Sequence, residues 1–186
     1  MSSQPEEFSD LLDACREIVS QFRVLLAGTK GDREVLGVLS QHAKNIAEIL
    51  KVIFSSIENS RPDKGGDIRG FMLSQMDILW DVKIILQEEV ELFDETLRAL
   101  IAPGAGQVAA EIAGDLQSIR DITEEALPDA IRAAWDDLSA ESVMSDRRQA
   151  SRRAAVRLIR TLSGTWETFA EKLNEASLLW MKRGSA

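Results

Sequence analysis

Apolar residues recur every three or four positions along nearly the whole chain and nowhere alternate for long, which predicts helices throughout and no strand. The first predicted helix runs from about residue 5, a proline suited to a first turn, to residue 26. One face carries Phe8, Leu11, Leu12, Cys15, Ile18, Val19, Phe22 and Leu25. Gly28 and Gly31 end it. Asp32 is placed to cap a second helix with a near-heptad stripe of Val35, Leu36, Leu39, His42, Ala43, Ile46, Ile49, Leu50, Ile53 and Ile57. That stripe suits pairing with a helix of the same chain or of another.

Pro62, Gly65 and Gly66 mark the clearest loop, and Asp67 then opens a third helix reaching about residue 101. Pro103, Gly104 and Gly106 make a second break. A fourth helix with Val108, Ile112, Leu116, Ile119 and Ile122 is expected to stop before Pro128, which starts a short helix bearing Ile131, Trp135 and Leu138. The last helix, from about residue 142 to 182, is expected to be the longest. Short loops favour antiparallel neighbours, so the expected fold is all-α: an up-and-down bundle of four to six amphipathic helices, at least two of them long, in one domain over residues 1–186. Unequal helices leave the longest projecting, and a homodimer would cover their apolar ends.

Composition narrows the chemistry. One cysteine and one histidine supply no soft-ligand set for zinc and no Glu-x-x-His pairs for a di-iron bundle, so no metal and no cofactor is expected. The acidic start has no signal-peptide pattern and no apolar run approaches the roughly 20 residues of a membrane span, which points to a cytoplasmic protein. A net charge of −9 disfavours nucleic acid. No glycine-rich phosphate loop or nucleophile motif is present, and Cys15 lies on an apolar face, so no catalytic residue is assigned. The string His42-Ala43-Lys44-Asn45 is similar to the His-x-x-Lys-Asn signature of a class of sensor histidine kinases. Its lysine and asparagine come one residue early, about 100° from the required face, and His42 reads as a core-edge residue.

Charge segregation is the most distinctive feature. Arg147, Arg148, Arg152, Arg153, Arg157 and Arg160 give residues 147–160 a charge of +6, leaving −15 on the rest of a chain whose net charge is −9. Arg148, Arg152, Arg153, Arg157 and Arg160 are read as a solvent-facing basic docking strip. Glu88, Glu89, Glu91 and Glu95 are read as an acidic one. The function expected from these strips is that of a non-enzymatic interaction protein: an adaptor, regulator or self-assembling scaffold binding a protein partner or a second copy of itself. Two further readings use the same residues. The basic strip and the helix end at Leu178, Leu179, Trp180 and Met181 would suit a peripheral anionic membrane. Glu88, Glu91 and Glu95 have the spacing of a carboxylate magnesium site in a helical hydrolase.

Overall fold

The computed structural model describes the backbone of residues 4–62, 64–100 and 106–184 and the side chains of residues 9–62, 64–100 and 108–179. Phe8, Ile101, Trp180 and Met181, and the break at residues 101–105, fall outside the described side chains or backbone. Among the described residues six α-helical segments follow one another: α1 (Gln4–Ala27), α2 (Asp32–Asn59), α3 (Ile68–Leu100), α4 (Gly106–Asp121), α5 (Leu127–Ser139) and α6 (Ser145–Gly184). All are helices packed on helices, as the apolar periodicity dictates.

The helix ends follow from local chemistry. Gly31, not Asp32, is the N-cap of α2 and offers no side-chain bond; Asp32 and Glu34 sit in the first turn, where carboxylates favour the exposed N–H groups. The Lys30 N–H donates to the Glu34 carboxylate at 3.0 Å. At the other end the Ser60 hydroxyl donates to the Ile57 carbonyl, and Gly65 turns the chain with φ 82°, a left-handed value that glycine adopts without strain. Asp67 accepts the Arg69 N–H ahead of α3. A Cβ on Gly70 would lie 2.5 Å from the Asp67 carboxylate, so a side chain at position 70 would push that carboxylate aside.

As expected, α4 stops before Pro128, and the proline sits in the first turn of α5. A π-helical turn, Ile122–Ala126, joins α4 to α5, and the Leu127 N–H donates to the Ile122 carbonyl five residues back. The wider turn accommodates the proline ring where an α-turn would press it against the preceding carbonyl. Residues 106–139 therefore form a single interrupted rod. It is the fourth long rod of the bundle, and α6, at 40 residues, remains the longest of the helices.

α2 and α6 are antiparallel and unusually close. Ser177 donates to the Arg33 carbonyl, Ser40 to Ala170 and Ser163 to Ala47, at 3.3, 2.7 and 2.9 Å. These contacts recur every seven residues along both helices. A hydroxyl reaches a neighbouring helix's carbonyl only where the backbones approach, and Gly37, Ala43, Ala47 and Ala170 leave that room. The second helix thus finds its partner within the chain.

α6 also packs on α4 and α5, and α3 on α5, with α3 and α6 meeting across the centre through Phe93, Trp166 and Phe169. α1 lies outside these four rods, against α2 and α3. The buried side chains form one continuous core from Leu12 to Leu173. Trp80 and Trp135 pair at its edge, ring centroids 5.2 Å apart, while Trp166 is fully buried.

Candidate interaction faces and a buried polar pair

The basic strip divides in two. At about 100° per residue, Arg153, Arg157 and Arg160 lie within roughly 60° of one another, while Arg148 and Arg152 lie about 80–180° from each of them. Arg153, Arg157 and Arg160 are exposed and make no ion pair among the described residues; Arg160 lies over the Phe54 ring. Arg148 and Arg152 are half-buried and are engaged within the bundle. The Arg148 guanidinium donates to the carbonyls of Asp137, Ala140 and Glu141, closing the C-terminal end of α5. Arg152 donates to the Gln75 side-chain carbonyl at 2.5 Å and to the Ile57 carbonyl at the end of α2. Cations at helix C-termini satisfy carbonyls that have no partner within the helix.

Arg147 completes this junction, with its Nε 3.0 Å from the Asp137 carboxylate. The Ser151 hydroxyl, which donates to the same carboxylate, and then Arg147 hold Asp137 below the usual carboxylate range. A depressed folded-state value contributes stability that is present above the ordinary value near 4 and lost as pH falls through the folded one. Asp137→Asn is therefore expected to be less stable than the native chain at pH 7. In urea melts repeated from pH 7 to pH 3, the two curves converge at the acid end; a constant gap would contradict the assignment.

The acidic strip loses one member and gains two. Glu91 and Glu95 are exposed and make no ion pair among the described residues. Glu88 is exposed and lies 3.7 Å from Arg23 of α1. Glu89 is buried and is not part of a docking surface. The sequence carried the signal for this. Glu89 occupies the apolar register Val82, Leu86, Phe93, about 100° from Glu88, whereas Asp77 and Asp81 share the line of Glu88, Glu91 and Glu95. Both aspartates are exposed.

Glu89 turns instead to the histidine of α2. A 2.5 Å hydrogen bond joins His42 Nε2 to Glu89 Oε2, with the side chains 2% and 1% exposed. Phe22 of α1 lies flat on the imidazole, centroids 3.7 Å apart and planes 3° from parallel. Phe93 stands 5.8 Å from the histidine and 5.9 Å from Phe22. His42 is thus a core residue rather than a core-edge one. The second carboxylate oxygen, Oε1, is buried and has no hydrogen-bond partner among the described residues. The pair bridges α2 and α3, and α1 roofs it.

Cys15 sits nearby on the inner face of α1, and burial pushes its thiol up to about 11, well away from a reactive thiolate. Glu88, Glu91 and Glu95 meet no second acidic helix among the described residues. Among the described residues no three His, Cys, Asp or Glu side chains are grouped to hold a metal ion. No helix among them is long and apolar enough to cross a membrane. Leu178 and Leu179 are exposed at the end of α6.

No protein family, curated protein or solved structure matches this chain.

Proposed function

We propose that this chain is a helical-bundle interaction protein without catalytic activity, a self-associating scaffold whose basic α6 face engages the acidic α3 face of another copy. The observation that supports this reading is the pair of opposite, unneutralised faces. Arg153, Arg157 and Arg160 line one side of the bundle, and Asp77, Asp81, Glu91 and Glu95 line another, all exposed. α3 and α6 turn their apolar sides toward each other through Phe93, Trp166 and Phe169, so their charged sides point apart. They cannot neutralise one another within the chain. Between chains they can, and a basic face meeting a different, acidic face is a heterologous contact that propagates rather than closes.

Exposed charge attraction is screened within about 10 Å at 0.1 M salt. Light scattering is therefore expected to show assemblies at low ionic strength that dissociate at high salt. Arg153→Glu, Arg157→Glu and Arg160→Glu together abolish them, as do Glu91→Lys and Glu95→Lys together. Mixing the two variants restores association, because the reversed α6 of one then complements the reversed α3 of the other. Association indifferent to salt and to both reversals would overturn the proposal.

A further inference from the structure

α1 is seated unlike the other helices. Of its described side chains only Leu12, Cys15 and Phe22 are buried, and the apolar Val24 and Leu25 are 72% and 62% exposed. Leu25 had been expected on the inner stripe. Open grooves flank the helix on both sides. One, of about 790 Å³, separates it from α2 near Leu25, Lys30, Arg33 and Gln41; the other, of about 490 Å³, lies toward α3 near Arg23, Ile85 and Glu88. Beneath it a narrow cavity of about 30 Å³ is floored by Ile46, Ile53, Val82 and Leu86, with His42 and Glu89 alongside. α1 therefore lies in the α2–α3 groove much as an amphipathic helical ligand lies in a receptor, attached by one row of side chains.

The groove cannot stand empty. Its floor is apolar, and without Phe22 the His42–Glu89 pair would open to water on its roofed side. Any occupant must supply an aromatic ring over His42 and an apolar row. The helix known to meet both demands is α1 itself. From α1, residues 28–31 lead directly into α2, with Gly28 and Gly31 at their ends.

We propose that α1 is an exchangeable helix: in a dimer, each copy's α1 leaves its own α2–α3 groove and seats in that of the other. Exchange of identical elements preserves the contacts of the closed form outside the hinge at residues 28–31 and is a low-cost route to a closed two-fold dimer. A linker of four residues spans at most about 14 Å, so the two copies must meet at the end of the bundle that holds the linker. That end carries the exposed Val24 and Leu25, and α6 finishes there, since Ser177 bonds to Arg33 and lines the same groove as Leu25. The exposed Leu178 and Leu179 follow directly. Four apolar side chains thus lie where the copies would touch, which a foreign helix in the groove would leave bare. This inference does not rest on the charged faces proposed above.

The test places one cysteine on each side of the seam, Val19→Cys and Ile85→Cys in a Cys15→Ser background, with all three changes in the full chain. Protein is concentrated in high salt, where the charged-face association is screened, and the dimer is isolated and oxidised. Disulfide-linked dimers in denaturing gels are the expected result; cross-links confined within single chains, or no dimer at any concentration, would overturn the proposal. Deleting Thr29 and Lys30 prevents α1 from folding back and is expected to raise the dimer fraction at least tenfold, while inserting eight Gly/Ser residues there lowers it by a similar factor. Equal dimer fractions in both linker variants would also overturn it, provided tryptophan fluorescence shows both folded. A salt-sensitive assembly with only intrachain cross-links would refute exchange and leave the charged-face reading standing.

Discussion

His42→Leu is expected to destabilise the bundle by about 3–5 kcal/mol, because it leaves the buried Glu89 carboxylate with neither oxygen hydrogen-bonded. The loss exceeds the value of one hydrogen bond because an uncompensated charge or an unsolvated acid remains in an apolar interior. Replacing both members by apolar residues of similar volume, His42→Leu with Glu89→Met, removes that penalty and is expected to recover most of the lost stability. Urea melts of the native chain, both single variants and the double variant close the thermodynamic cycle. A double variant no more stable than His42→Leu alone would show that the pair is not acting as a coupled unit. The comparison also bears on α1: losing the imidazole removes the flat surface on which Phe22 rests, so Cys15 should become more reactive toward maleimide in His42→Leu under native conditions.

Phe93→Ala is expected to cost about 3–5 kcal/mol, in the range for deleting a large buried aromatic side chain whose cavity cannot fully collapse. Phe93 is fully buried and its ring has neighbours on three other helices: Phe22 of α1, His42 of α2, and Trp166 and Phe169 of α6. His42, Trp166 and Phe169 stand on α2 and α6, which are held by their own serine seam, so these rings cannot move in to fill the space. Phe93→Leu, which keeps most of the volume, should cost much less. Equilibrium unfolding in urea followed by tryptophan fluorescence measures both. Equal and small losses would mean that the centre repacks freely, contrary to the rigid frame described here.

What was legible in the sequence was whatever one helix decides alone. Periodicity placed α1, α2, α3 and α6 to within a few residues, because an apolar stripe every three or four positions is a property of a single helix. The same arithmetic separates Arg153, Arg157 and Arg160 from Arg148 and Arg152, and places Glu89 in an apolar register, once each residue is assigned an angle rather than counted as part of a run. Pro128 was legible as the start of a short helix, but the π-turn that joins this helix to α4 was not, for a reason local rules do not contain. A proline forbids an α-turn, but packing of the flanking segments against α3 and α6 can hold a π-turn that accommodates it.

Other features exist only between helices. The serine seam of α2 and α6 depends on which helix lies opposite and in what register, and small residues seven apart acquire meaning only when a second backbone arrives. Arg148 and Arg152 became structural because α5 and α2 end beside α6, presenting carbonyls in need of donors. His42 and Glu89 are 47 positions apart in the chain, and nothing in either neighbourhood names the other. The sequence by itself determined that the chain is helical, which face of each helix is apolar and where charge accumulates, because side-chain direction along a helix follows from its 3.6-residue turn. Only the tertiary structure decided which charges are consumed within the bundle and which remain outside, since neutralisation and burial depend on what another segment places within a few ångströms.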